Sequence, residues 1–317
     1  MAGCVAGCRG PVTPTPTPTP LAMICPSPVS AQSPDGNPVF VSFPAPTVTG
    51  GQSPVTTTCT PGAASTFPVG STSVTCTARD AGRQSVSCDF PVSVTRTPRL
   101  AATRFVSFGD SITEGVTSTC NRTTLFMTFA ETMLVLPQAA NDPWAYPNVL
   151  QARLRSVYTA QQPGVANRGI GGEDVSIGAA RLPGVLTAEA PQVLLLQEGA
   201  NDVNQNRPPA TIAASLRTMV REARSRGVQV YLGTLLPQRP LGVQGSCRGF
   251  GVNNVAPAND QIRGMAAAEG AVLVDLYQAF GGVPGTLIGA DGLHPSEAGY
   301  QKIADTFFDA VRLRLED

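Results

Sequence analysis

Five short apolar runs, separated by amphipathic stretches and loops, fill the last two thirds of the chain, and this alternation restricts the fold more than any other feature. The runs are Arg104 to Phe108, Val165 to Arg168, Val193 to Leu196, Val228 to Leu232 and Ala271 to Val274. They are mostly apolar without strict alternation, which predicts parallel strands covered on both faces. Helical spacing appears in the intervals: at Leu150, Leu154 and Val157, at Ile212, Leu216, Met219, Val220 and Ala223, and at Tyr300, Ile303, Ala304, Phe307, Phe308 and Val311. The expected result is a three-layer α/β/α domain with a parallel sheet over residues 104–317, its chemistry in loops beyond the carboxyl ends of the strands.

The first third reads differently. From Val39 to Thr95 the chain is rich in Val, Thr, Ser and Phe, with Gly and Pro between short runs and no helical period, the pattern of a β-sandwich. Val74, Cys76 and Ala78 share one parity, as do Val86, Cys88, Phe90, Val92 and Val94, so these cysteines face inward with Cys59. A core this small is expected to be stapled by disulfides among Cys25, Cys59, Cys76 and Cys88, for which three pairings are open.

The string T-F-P-V-G-S-T-S-V-T-C-T-A-R-D-A-G-R-Q-S-V-S-C-D-F-P-V-S-V, residues 66–94, resembles the HYR (hyalin repeat) module, an immunoglobulin-like sandwich of extracellular proteins. The resemblance covers residues 22–96 and departs at Arg83-Gln84, where Gly-Asn is usual. A structural spacer is the reading preferred over a specific ligand-binding role. No aromatic platform and no acidic cluster for calcium accompanies it. Residues 97–103 read as a linker to the second domain.

The remaining cysteines are Cys4, Cys8, Cys120 and Cys247. None of the eight forms a C-x-x-C pair, so zinc is not expected, and an even count in a Thr/Ser/Pro-rich chain points to disulfides made outside the cytosol. Alternating Thr-Pro from residue 11 to 20 predicts an extended spacer, since each proline fixes φ and removes a donor. Before it, Val5-Ala6-Gly7-Cys8 resembles a bacterial lipobox, which implies a membrane tether through a lipidated Cys8, although only seven residues precede that cysteine. Residues 1–21 are thus read as an export or tether segment, and the protein as secreted or anchored at the cell envelope. The 22 basic and 22 acidic residues cancel, leaving no field to attract nucleic acid, and no apolar run approaches the roughly 20 residues that span a bilayer. A monomer is expected.

Four polar blocks follow the predicted strands. Phe108-Gly109-Asp110-Ser111-Ile112-Thr113-Glu114-Gly115 puts a serine at a strand-to-helix turn, where backbone N–H groups face a developing anion. Asn167-Arg168-Gly169-Ile170-Gly171-Gly172 and Gly199-Ala200-Asn201-Asp202 offer close backbone approach and an amide donor. Asp291-Gly292-Leu293-His294-Pro295 holds the chain's single histidine, and the three-residue offset lets Asp291 accept from one ring nitrogen while the other faces the serine. Each block alone reads as a cap or a turn; together, in order at successive strand ends, they read as a catalytic site.

In that combination the second domain resembles an SGNH/GDSL hydrolase. The resemblance implies Ser111 as nucleophile, His294 as base, Asp291 as the acid orienting it, and an oxyanion hole from the Ser111 N–H, the Gly172 N–H and the Asn201 side chain. It assigns no such role to Asp110 and calls for no metal or organic cofactor. The implied activity is hydrolysis of carboxylic esters, with short-chain acyl or acetyl esters of carbohydrate or lipid as candidates. The competing class is a surface adhesion or display protein with an inactive hydrolase domain. Two further expectations concern the rim. The connection from Gly115 to Trp144 reads as an extra packed helix, with a lid or acyl-chain wall as the alternative, and a Cys120–Cys247 disulfide would pin it to the loop from Pro237 to Asn254.

Overall fold

The computed structural model describes residues 19–117, 142–240 and 252–317. Cys4, Cys8, Cys120, Cys247, most of the Thr-Pro spacer and most of the two rim segments lie outside the described residues. The chain divides into two compact units between Thr97 and Pro98.

The first unit is built of strands: β1 (Ala22–Ile24), β2 (Val29–Ser33), β3 (Val39–Val41), β4 (Thr47–Thr49), β5 (Thr56–Thr60), β6 (Ser65–Phe67), β7 (Gly70–Arg79) and β8 (Ser85–Arg96). A four-stranded sheet in the order β2-β8-β7-β5 is accompanied by the pairs β1-β4 and β3-β6. Val41, Phe43, Phe67, Val74, Cys76, Phe90, Val92 and Val94 form the core, with Phe43 edge-on to Phe90. The inward parity of β7 and β8 is as the sequence predicts. Register alone leaves the pairing open. Cys76 lies opposite Cys59 on one side and Cys88 on the other; it bonds to Cys59, and Cys88 bonds to Cys25. At the β7–β8 turn Arg83 adopts φ 67°, the left-handed conformation that glycine tolerates better. Asp80 holds that turn by accepting from the Gln84 N–H at 2.7 Å and the Gln52 N–H at 2.8 Å.

In the second unit β9 (Arg104–Gly109), β10 (Gly164–Gly169), β11 (Val193–Gln197), β12 (Gln229–Gly233) and β13 (Val272–Val274) form a parallel sheet in the order β10-β9-β11-β12-β13. The absence of strict alternation has a direct cause. Phe105, Val193 and Leu195 pack on one core with Tyr146, Leu150, Leu154, Tyr300, Ile303 and Phe307, while Val106, Phe108, Leu194 and Leu196 pack on the other with Ile212, Leu216, Met219 and Ile262. The covering helices are α2 (Tyr146–Val157) and α8 (Glu297–Leu315) on the first face, and α3 (Val175–Glu189), α5 (Pro209–Ser225) and α6 (Val255–Glu269) on the second; the short helices α4 (Ala200–Asn204) and α7 (Leu276–Ala279) follow β11 and β13. Helical spacing does not single out α3, which contains Gly178, Pro183 and Gly184 and is apolar on several sides.

Part of the stretch 97–103, read from the sequence as a linker, packs on the second unit. Leu100 and Ala102 are buried in the second unit's core, and the Gln161 amide accepts from the Leu100 N–H at 2.7 Å and donates to its carbonyl at 2.9 Å. Burying two apolar side chains and pairing both backbone groups fixes that stretch to the sheet's helical cover.

Candidate active site

The strand order reverses at β9, so the loops beyond β9 and β11 diverge and leave a crevice. Ser111 opens the short helix α1 (Ser111–Glu114) directly beyond β9. Its neighbour Asp110, not Ser111, caps that helix, accepting from the Ile112 N–H at 3.0 Å. The second Asp110 oxygen accepts from the Ala200 N–H at 3.2 Å, joining the serine turn to the block after β11. Burial pushes the Asp110 carboxyl up to about 6 against the opposing pull of the Ile112 and Ala200 N–H groups and the His294 charge.

Ser111 and His294 stand 183 positions apart in sequence, yet Ser111 Oγ lies 2.8 Å from His294 Nε2. His294 Nδ1 lies 2.6 Å from Asp291 Oδ2. Asp291 Oδ1 accepts from the Leu293 N–H at 2.9 Å and the His294 N–H at 3.0 Å, so one carboxylate shapes the loop and orients the ring. Burial alone would raise the Asp291 pKa; the His294 ring and these backbone donors outweigh it and hold the carboxyl below its ordinary value.

The glycine loop of the second block runs beside the serine turn. A Cβ on Gly171 would sit 3.9 Å from Ser111 Cβ, so the glycine loop runs alongside the hydroxyl. Gly172 has φ 78°, a conformation costly for other residues, and the space before its Cα is open. Among the described residues none accepts from the Gly172 N–H. Asn201 spends one amide N–H on the Glu173 carbonyl at 2.9 Å, which fixes its orientation, and the second has no acceptor among the described residues. Asp202 caps α3 rather than its own helix, accepting from the Val175 N–H at 2.9 Å. Glu173 is buried and paired with Arg181, whose guanidinium also lies 4.0 Å over the Phe108 ring. The glycine loop is therefore tied to β11's block, to α3 and to the sheet.

Two residues escape sequence reading. Arg239 donates from its backbone N–H to the Gly292 carbonyl at 2.8 Å and from its guanidinium to the carbonyls of Gly285, Gly289 and Ile288, clamping the loop that carries Asp291 and His294. Carbonyl acceptors leave no trace in side-chain pattern. Glu198, the residue after β11, is wholly buried, and no sequence pattern marks it. At the described ends of the rim segment, the Trp144 indole donates to the Gly115 carbonyl at 3.2 Å and Tyr300 to the Val116 carbonyl at 2.5 Å. No group of His, Cys, Asp and Glu that could hold a metal ion occurs among the described residues.

Both units are similar to known proteins. Residues 107–302 match the GDSL-like lipase/acylhydrolase family and residues 17–94 the HYR domain. Esterase TesA of Pseudomonas aeruginosa is 30% identical over 152 residues, 47% of this chain and 69% of the relative. The lipase/acylhydrolase from Enterococcus faecalis is 25% identical and superimposes with a TM-score of 0.50, covering 67% of this chain and 96% of its own. The acetyl xylan esterase Axe2 of Geobacillus stearothermophilus, at 20% identity and a TM-score of 0.50 over the same shares, has the same fold. With the matched model spanning well over half of its residues, the chain belongs to the GDSL-like lipase/acylhydrolase family and is an esterase-type hydrolase with an HYR domain ahead of its catalytic one.

Proposed function

We propose that the protein is an extracellular serine esterase in which Ser111, His294 and Asp291 act as nucleophile, base and orienting acid. The observation that carries this reading is the unbroken contact from Ser111 Oγ to His294 Nε2 at 2.8 Å and from Nδ1 to Asp291 at 2.6 Å. With Nδ1–H donating to Asp291, the Nε2 lone pair takes the Ser111 proton as Oγ attacks the ester carbonyl. Charge then moves to the carbonyl oxygen, where the Ser111 N–H, the Gly172 N–H and the second Asn201 N–H meet it already oriented. His294 returns the proton to the departing alcohol. Water, deprotonated by the same ring, releases the acid and restores Ser111.

The substrates are short-chain acyl or acetyl esters of carbohydrate or lipid. Two disulfides and an HYR domain suit an oxidising compartment, and no helix among the described residues is long and apolar enough to cross a membrane. Either release from the cell or a tether through Cys8 fits that placement, with the first unit as spacer. Hydrolysis of p-nitrophenyl esters of increasing chain length, beside acetylated xylan, tests the reading. Ser111→Ala is expected to lose at least about 10⁴-fold in kcat. Wild-type turnover in that variant, or turnover insensitive to a serine-directed phosphonate, overturns it.

A further inference from the structure

Residue 198 immediately follows β11 and residue 110 immediately follows β9, and the parallel register pairs Gln197 with Gly109. The next step along both strands therefore sets Glu198 beside Asp110, where neighbouring parallel strands direct paired side chains to the same side. Both residues are fully buried. Neither Glu198 oxygen receives a hydrogen bond from a described residue, although a buried carboxylate requires donors. The site is shaped around this carboxyl: a Cβ on Gly178 of α3 would come within 2.3 Å of Glu198 Oε1 and 2.4 Å of Oε2. Donors are absent where they would be needed for an anion, and glycine makes room where a side chain would exclude the group.

We infer that Glu198 is a positioning residue that remains a neutral acid and donates its proton to the Asp110 carboxylate, so that two buried acids carry one negative charge between them. As a donor, Glu198 no longer needs the N–H groups it lacks, and Asp110 gains a side-chain donor beside the backbone N–H groups of Ile112, Ala200 and Gly199. The pair thereby joins the turn that presents Ser111 to the block that presents Asn201. This assignment rests on the proposed roles of those two residues. The charged groups around the pair agree with it. Burial, first, and then the charges of Asp110 and Glu173 hold Glu198 well above the ordinary carboxylate range; Arg181 on α3 opposes them, and Asp202 adds to them. Arg181 cannot serve as a dedicated counter-ion, because Glu173 already takes its guanidinium. His294 faces Asp110 from the opposite loop and favours its anion.

The sign of the pH effect follows. An unfolded glutamic acid ionises near pH ~4.3, whereas the folded pair keeps its proton, so stability falls as pH rises above that value until the pair itself ionises. Replacing Glu198 by glutamine keeps the donor and removes the titration. Unfolding of wild type and Glu198→Gln, followed at matched pH values, is expected to diverge above pH ~5, the wild-type folding constant losing up to about tenfold per pH unit relative to the variant. Parallel curves overturn the inference. The activity arm separates donor from filler: Glu198→Leu should lose about tenfold or more in kcat with KM little changed, and Glu198→Gln should restore the rate. A glutamine variant no better than the leucine one also overturns it. Wild-type protein supplies a check that needs no variant: its infrared spectrum at pH 8 should contain the carbonyl stretch of a protonated carboxyl, and a spectrum without that band sinks the inference. Ser111→Ala reports separately on the triad, so failure of the pair leaves the esterase reading standing and the reverse is equally visible.

Discussion

The two units bury polar groups in opposite ways. In the first, Ser33 and Asp80 are the buried polar residues among those described, and both hold loops or turns. In the second, Asp110, Ser111, Thr113, Glu114, Glu173, Glu198, Asp202 and Asp291 are buried together beyond the strand ends. A small unit has little capacity to absorb desolvation. It buries a modest apolar cluster and draws additional stability from covalent closure. The larger unit has an apolar layer on each face of its sheet, and that surplus can hold a crowded set of carboxyls at one edge. Buried acids thus mark where stability has been exchanged for chemistry.

The sharpest way to break this contrast is to remove a staple. Cys25 and Cys88 close a span of 63 residues, and loop entropy assigns such a closure about 4 kcal/mol. A Cys25→Ala/Cys88→Ala variant should therefore lose the first unit's thermal transition to a much lower temperature in calorimetry, while p-nitrophenyl acetate hydrolysis is retained. Loss of both together would mean that the units are not energetically separate. The matching change in the second unit is Asn201→Ala. It removes one oxyanion donor and the tie to the Glu173 carbonyl, and is expected to reduce kcat by about 10² to 10³ with the first unit's transition unmoved. The smallest effect is expected at Arg83, whose left-handed φ costs a non-glycine residue about 1 kcal/mol. Arg83→Gly relieves that strain but gives back part of the gain as unfolded-chain entropy, so the first unit should be stabilised by less than about 1 kcal/mol. A lowered transition would show that the Arg83 side chain contributes more than its backbone conformation costs.

Local pattern made much of this legible. The runs at 104–108 and 193–196 became strands within a residue of their expected ends because burial on both faces leaves an apolar signature that needs no partner to read. The inward parity of Cys76 and Cys88 was legible for the same reason, since side chains alternate with a period set by the backbone alone. The four blocks could be recognised because each carries distinctive side chains in a short span. What pattern could not supply were contacts whose information lies in the partner: Gln161 on the supposed linker, Arg239 on three carbonyls, and Glu198 against Gly178.

By itself the amino-acid order determined two units of different class, the parity of the cysteines, and the identity and sequence of the polar blocks. The tertiary structure decided which cysteines bond, that Ser111 and His294 meet across 183 positions, and that Asp110 and Glu198 are both buried. The division has a physical cause. Periodicity and turn chemistry act over a few residues and are written where they act, whereas register, crossover and close approach are settled only when distant segments compete for the same space.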